Sequence, residues 1–249
     1  MNLYLNNTVT ALLITVTQCG GAIADSACGP LSLGGFGPFD YRSEKHKNVG
    51  GIEFRPGSSE HQAILDMVQG AHFKPEIEAL LYGKTRDSTP GGDIAYTLHA
   101  LPNNHRALVA TMRYGEKLKT EHPKDMRFSV ECYFDRAVRF APDDAIVRML
   151  FAQFLISKNR QPEAMQQLVY AENLAGVNGF THYNIGLIYF DSGAHEKALQ
   201  QAQQATALGF PRPDLEQKLR AAGKWQDAAP ELKSQALEAP AAAASEPKP

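Results

Sequence analysis

The chain has 249 residues, of which 43% are hydrophobic, and this composition allows one sizeable core or a repeat array with an appendage. The formal net charge of -2 gives no global electrostatic reason to expect nucleic acid or an anionic membrane surface as a partner. Lys and Arg are spread through the chain instead of clustering, so no nucleic-acid partner is predicted.

The first 24 residues predict a secretory signal peptide. They carry no charged side chain, contain an apolar run at 9–16 and end in the triplet Ala22-Ile23-Ala24, so cleavage is expected after Ala24 and the mature chain is predicted to be periplasmic or secreted. The run is far shorter than the ~20 residues of a membrane span, so no integral membrane span is expected in the mature chain. Because Lys and Arg are missing before the run, the alternatives are a buried N-terminal strand or a misplaced start codon.

Removal of this segment discards Cys19 and leaves two cysteines, Cys28 and Cys132. An even number in an oxidising compartment predicts one disulfide between them. Such a bond would tie the N-terminus to the second half of the chain. The alternative is two unpaired, partly buried thiols, because spacing alone does not show that the Cα atoms lie close together.

Residues 25–101 predict an irregular N-terminal α+β segment. Gly, Pro and aromatic residues dominate its beginning, so Phe36, Phe39 and Tyr41 are expected to fill gaps on the surface of the helices. Residues 75–82 predict a short helix with proline in its first turn. Residues 93–98 are compatible with a strand, and residues 63–68 either pair with it or are helical.

Beyond residue 102 the apolar spacing becomes helical, and small residues recur every 34 positions. The recurring positions are Ala137, Ala171 and Ala205; Ala164 and Ala198; Leu174 and Leu208; and Ala152 and Gly186. Several coincidences in one register predict a duplicated helix-turn-helix unit. A third, degenerate copy is expected at 104–140, with a longer connection at 120–127.

Residues 181–209 closely resemble the tetratricopeptide repeat (TPR) family. Gly186 and Ala198 match its small residues at helix crossings, Tyr189 its aromatic position and Gly193 its inter-helix turn. The preceding copy carries Asn159 at that turn, and Asn tolerates the left-handed conformation.

The resemblance implies a mainly α fold in which TPR-like helix-turn-helix repeats form an α-solenoid over residues 102–225, closed by a capping helix that begins at Pro213. Residues 226–249 are rich in Ala and Pro and are expected to be a disordered tail. Short stretches at 28–31, 36–42 and 99–108 are similar to a proteobacterial set of small exported repeat proteins without an assigned role.

In this family the first helix of each repeat lines a concave groove, and the resemblance therefore implies which residues contact a partner. The implied groove residues are Met149, Gln153, Ile156, Tyr183, Leu187 and Phe190. Their mostly apolar character favours an apolar or helical segment of another polypeptide as the ligand. The alternative is that the N-terminal segment of the chain itself fills the groove.

Residues 60–105 contain the ingredients of a metal site, namely His72, His99 and His105 with Asp66 and Asp93. No HExxH or comparable spacing places two of them on one helix face, and no serine lies in a G-x-S-x-G elbow. We therefore expect no catalytic residue, no metal and no cofactor. The predicted function is a protein-protein interaction scaffold or adaptor in the bacterial cell envelope; the alternative is a small envelope enzyme or metal-binding protein with a site in residues 60–105.

Overall fold

The computed structural model describes residues 27–42 and 59–227. The predicted signal peptide and all but the first two residues of the predicted tail lie outside the described residues. Ten helices and no strand are found in the described residues, so the fold is mainly helical. The helices are α1 Ser59–His72, α2 Pro75–Glu78, α3 Gly91–Ala100, α4 His105–Leu118, α5 Val130–Phe140, α6 Ala145–Ser157, α7 Gln161–Ala175, α8 Gly179–Asp191, α9 His195–Ala207 and α10 Pro213–Ala221.

The strand expected at 93–98 is wrong, because these residues form most of α3. Ile94, Thr97, Leu98 and Leu101 are all buried, and their spacing of three to four residues is that of a helix face. Thr97 also donates its side-chain hydroxyl to the carbonyl of Asp93 one turn earlier, at 2.9 Å. Residues 63–68 are helical, within α1, so the described part of the N-terminal segment is not α+β.

The short helix expected at 75–82 is present but ends earlier, at Glu78. Leu80 adopts a φ of 58°, which a continuing helix cannot accommodate, and its side chain is buried. Burial of this leucine against the core therefore ends the helix before Gly83.

Helices α6 and α7, and helices α8 and α9, form two tightly packed pairs. Within each pair a short turn reverses the chain, and the turn residues Asn159 and Gly193 have φ values of 58° and 82°. Both positions therefore need the left-handed conformation that Asn and Gly adopt most readily. The side chains of Asp144 and Asn178 accept hydrogen bonds from the first free amides of α6 and α8, which explains where each pair begins.

The pairs stack in chain order. Helix α4 contacts α6, α6 contacts α8, and α8 contacts α10. Helices α5, α7 and α9 each contact the helix that precedes them in the chain. Gly186 lies where α8 crosses its neighbours: a Cβ placed on it would be 3.1 Å from Gln201 Cβ and 2.6 Å from Leu215 Cδ2. Ala198 is completely buried at the same crossing, so the absence of larger side chains lets these helices approach closely.

Residues 27–42, called the N-terminal segment from here on, form a second, smaller core with α1 and α3. Phe39 is buried among residues of α1 and α3, with Phe36 and Tyr41 packed around it. The amide of Phe39 donates to the carbonyl of Ala100 at 2.8 Å, which aligns the segment along the end of α3. Within the described residues, no helix is both long enough and apolar enough to cross a membrane.

Candidate ligand and partner sites

The structure places the six predicted groove residues at different depths. Met149 and Tyr183 are buried, with exposed fractions of 7% and 9%, and a ligand has little access to either. Ile156, Leu187 and Phe190 are half-buried, and only Gln153 is exposed. The six residues therefore lie along α6 and α8 as expected, but they do not form one open apolar surface.

The segment that follows α9 covers part of this surface. The ring of Phe210 lies 5.7 Å from the ring of Tyr183, whose hydroxyl donates to Asp214 Oδ2 at 3.1 Å. Lys218 Nζ on α10 lies 5.4 Å from the ring centre of Phe190. Residues 27–42, in contrast, form hydrogen bonds with the region from α3 to the start of α6.

Two apolar residues that sequence reasoning missed are more accessible than the predicted ones. Ile146 and Phe180 have exposed fractions of 36% and 54%, and each stands three residues before a buried groove residue, Met149 or Tyr183. A separation of three residues keeps side chains on one helix face. Ile146 and Phe180 are 34 residues apart, which is the spacing of the repeat, so this spacing could have identified them as equivalent positions in the sequence.

A buried polar cluster joins the N-terminal segment to the loops before α4 and α6. Asn103 Nδ2 donates to Asp40 Oδ1 at 2.7 Å and to Asp144 Oδ2 at 3.2 Å. The Arg42 guanidinium donates to Asp40 Oδ2 at 2.6 Å and to Asp143 Oδ1 at 3.0 Å. One arginine thus holds carboxylates from two distant parts of the chain.

Asp144 is the most constrained carboxylate of this cluster. Burial raises the pKa of Asp144, but the hydrogen bond from His105 at 2.9 Å, the charges of His105 and Arg42 and the Val147 amide together hold the pKa below its ordinary value. The cluster therefore stabilises the ionised form. Sequence reasoning missed it, although Pro-Asn-Asn at 102–104 and Pro-Asp-Asp at 142–144 repeat one pattern before α4 and α6.

The three histidines considered as metal ligands make separate contacts. His72 Nδ1 lies 2.8 Å from Asp93 Oδ1, and His105 pairs with Asp144. His99 belongs to a different site, the pocket described below. In the part of the chain that the structure describes, no three His, Cys, Asp or Glu side chains are grouped as a metal site would require.

A disulfide between Cys28 and Cys132 was predicted from the sequence, and their sulfur atoms lie 2.06 Å apart, at bonding distance. Beside them Arg136 donates to the carbonyls of Cys28, Pro30 and Leu31, the last at 2.9 Å. Arg139 donates to the carbonyl of Gly29 at 2.9 Å. The bond and the two arginines together hold residues 28–31 against α5.

A pocket of about 340 Å³ lies between the N-terminal segment at Leu33 and Gly34, helix α3, the connection before α5, and α5 itself. This volume is within the range of small-molecule sites in proteins. Its lining is Leu33, Gly34, Gly92, Ala95, Tyr96, Leu98, His99, Arg127, Phe128, Tyr133 and Arg136. The lining is mostly apolar but contains two guanidinium groups and no carboxylate.

Comparison of the chain with protein-family models, with curated proteins and with solved structures gives no match. Its function must therefore be inferred from its own residues and contacts. Two surfaces have the required properties, namely the exposed apolar residues on α6 and α8, and the pocket beside α3 and α5.

Proposed function

We propose that this protein is an exported helical-repeat protein of the TPR type, and that it binds a segment of another polypeptide in the bacterial cell envelope. The stacking of α4, α6, α8 and α10 in chain order supports this assignment. So do the small residues Gly186 and Ala198 at a helix crossing, which recur at 152 and 164 with a 34-residue separation. Stacked helix pairs of this kind present one extended surface for partners.

The observation that carries the binding proposal is the exposure of large apolar side chains along one part of this stack. Ile146 at the start of α6 and Phe180 at the start of α8 are joined by Val177 in the preceding connection, which is 82% exposed. Tyr170 and Leu174 on α7 are also exposed. All five residues lie on α6, α7, α8 or the connection between α7 and α8, and these helices contact one another. Exposed large apolar side chains on neighbouring elements mark interaction sites more often than widely scattered ones do.

The bonded cysteines support the proposed compartment. Disulfides persist in oxidising environments such as the periplasm and are rare in the cytosol. A mature chain that begins after Ala24 would retain Cys28, four residues from its new terminus. Export and the crosslink are therefore consistent with each other.

The test is crosslinking in the native host followed by capture of the protein with its partners. We expect an Ile146→Asp, Phe180→Asp double variant to lose the captured polypeptide, because two charges would be buried in an apolar contact. The matched control is Met67→Asp, which places one charge on an equally exposed apolar residue of α1.

Circular dichroism shows whether both variants keep the helical fold. Loss of the partner by the double variant, with retention by the control, supports binding at α6 and α8. Retention of every partner by a folded double variant contradicts it.

A further inference from the structure

The pocket beside α3 and α5 has an unusual charge balance for a partly apolar site. Arg127 is exposed and forms no ion pair with a carboxylate of the described residues. Arg136 is 2% exposed and donates to backbone carbonyls, again without a carboxylate within ion-pair distance. The three carbonyls and the Phe128 ring, whose centre lies 4.5 Å from Arg136 Cζ, offset part of the cost of burying this guanidinium. Its charge is not neutralised by a carboxylate, so the pocket has a local excess of positive charge that an anion would offset.

His99 does not add to this charge. Burial lowers the pKa of His99, the positive charges of Arg136 and Arg127 lower it further, and a hydrogen bond to the Gly34 backbone only partly opposes them. The imidazole is therefore held toward its neutral form, and the two guanidinium groups supply the positive charge of the lining.

Tyr133 provides a second, independent observation. The tyrosine lines the pocket and is 3% exposed, yet its hydroxyl has no hydrogen-bond partner among the described residues. Burial raises the pKa of Tyr133, whereas the backbone amides of Phe128 and Arg127 point toward the hydroxyl oxygen and act to lower it. An amide cannot accept the proton of the hydroxyl, so that proton has no acceptor among the described residues. A buried hydroxyl without an acceptor is uncommon, because leaving it unpaired costs about 1–3 kcal/mol.

The apolar part of the lining indicates what the anion is attached to. Leu33 comes from the N-terminal segment, Ala95 and Leu98 from α3, and the aromatic rings of Tyr96 and Phe128 from α3 and the connection before α5. These side chains would contact a hydrocarbon or aromatic body but would leave inorganic phosphate or sulfate poorly accommodated.

We propose that this pocket binds a carboxylate carried on an apolar body, with the carboxylate near Arg127 and Arg136 and within reach of Tyr133, and the apolar body against Leu33, Leu98 and Phe128. A small organic acid and the C-terminal residue of a polypeptide share this chemistry. The site is separate from the exposed residues of α6 and α8, so it does not depend on the proposed function.

The Cys28–Cys132 bond supports this site from outside the lining, because it holds the start of the segment that carries Leu33 and Gly34. Reduction of the bond leaves non-covalent contacts to hold that segment, among them the hydrogen bonds from Arg136 and Arg139. Binding is therefore expected to weaken in the reduced protein.

The experiment is isothermal titration calorimetry of the oxidised protein with 3-phenylpropionate, and with 3-phenylpropionamide as a neutral ligand of the same shape. We expect saturable one-to-one binding of the acid and at least about tenfold weaker binding of the amide, because the amide lacks the charge that pairs with a guanidinium. Affinity for the acid should fall as salt is raised from about 20 mM to about 500 mM.

Variants then assign the contacts. Arg127→Gln should weaken binding of the acid about fivefold to tenfold, whereas Arg86→Gln, on another exposed arginine that lies outside the pocket lining, should not change it. Tyr133→Phe removes only the unpaired hydroxyl, so the fold should be retained while affinity falls. Equal affinity for acid and amide, absence of saturable binding, or an unchanged affinity in both Arg127→Gln and Tyr133→Phe would overturn the proposal.

A third arm separates the two sources of the carboxylate. The probe is a peptide of three alanines and a C-terminal phenylalanine, with either a free or an amidated terminus. Tighter binding of the free peptide than of 3-phenylpropionate assigns the site to a polypeptide C-terminus. Tighter binding of 3-phenylpropionate assigns it to a small organic acid.

Discussion

Single residues decide how closely the helices of this protein approach one another. At Gly186 a methyl group would lie 2.6 Å from Leu215 Cδ2 and 3.1 Å from Gln201 Cβ, both inside normal contact distance. At Gly70 on α1 no described atom lies within 4 Å of the same position. The two glycines are both helical, so they differ in their surroundings and not in their backbone requirement.

This difference predicts opposite outcomes for one substitution. Gly70→Ala should raise the free energy of unfolding by about 0.5–1 kcal/mol, because alanine loses less backbone entropy in a helix. Gly186→Ala should instead lower it by about 1–3 kcal/mol, because the added methyl must displace the fully buried Leu215 side chain and crowd Gln201. Chemical denaturation of both variants measures the difference. Equal stabilisation by both would show that the crossing of α8 with α9 and α10 is loosely packed.

Among the elements, the N-terminal segment depends most on contacts distant in sequence. One end is held at α5 by Cys132, Arg136 and Arg139, and the other by the polar cluster at the starts of α4 and α6. Within that cluster Asp144 accepts from Asn103 and His105 and also caps α6. This one carboxylate therefore couples helix α6 to the polar cluster that holds the N-terminal segment.

The lowered pKa of Asp144 gives this coupling a pH dependence. A carboxylate with a lower pKa in the folded chain stabilises the fold above its unfolded pKa, near 3.9, and loses that contribution as pH falls through the folded pKa. Asp144→Asn should therefore lower the free energy of unfolding by about 1–3 kcal/mol at neutral pH. The deficit relative to wild type should shrink below about pH 4.

Urea unfolding of wild type and variant between neutral pH and about pH 3 checks this expectation. Asp87→Asn, at an exposed loop position, is the control and should follow wild type at every pH. A deficit for Asp144→Asn that stays constant across the range would show that its charge does not stabilise the fold.

At the scale of the whole molecule, the helix stack is held mainly by contacts between successive helices, and one disulfide links residues far apart in sequence. Each helix pair contacts mainly the adjacent pair, so the stability of such a stack is close to a sum of local terms. The contacts of residues 27–42 are different, and among them the Cys28–Cys132 bond joins covalently two residues separated by 104 positions. The crosslink excludes many extended arrangements of the unfolded chain.

Removal of this crosslink should therefore destabilise the protein measurably. In the chain-entropy account, a loop of this length contributes about 4–5 kcal/mol, and the observed loss in a Cys28→Ser, Cys132→Ser variant should be at or below this value. Thermal unfolding of the oxidised, reduced and substituted proteins measures the loss. We expect the reduced and substituted proteins to unfold at similar, lower temperatures, and the control is wild type treated with oxidant alone. An unchanged unfolding temperature would contradict the contribution of the bond.

Several features were predictable because they depend on neighbours in sequence. The turn residues Asn159 and Gly193 and the start of α10 at Pro213 were predicted from the sequence, and both turn residues adopt the left-handed conformation expected for them. The helix α3 was missed because a short apolar stretch does not distinguish a strand from a helix by periodicity alone. The predicted groove residues lie on α6 and α8, but the surroundings of Tyr183 and Phe190 include Phe210 and α10, which follow the repeat in the chain.

The sequence by itself determined the mainly helical class, the 34-residue recurrence of small side chains and the two cysteines available to pair, because these depend on local propensity, spacing and number. Only the tertiary structure decided which apolar residues stay exposed, how Asp40 and Arg42 meet Asp144, and that Arg127, Arg136 and Tyr133 line one pocket. The physical reason is that burial and electrostatic environment are properties of surrounding atoms. In this protein those atoms include ones from residues far away along the chain, such as Leu31, which lies 105 positions from its contact Arg136.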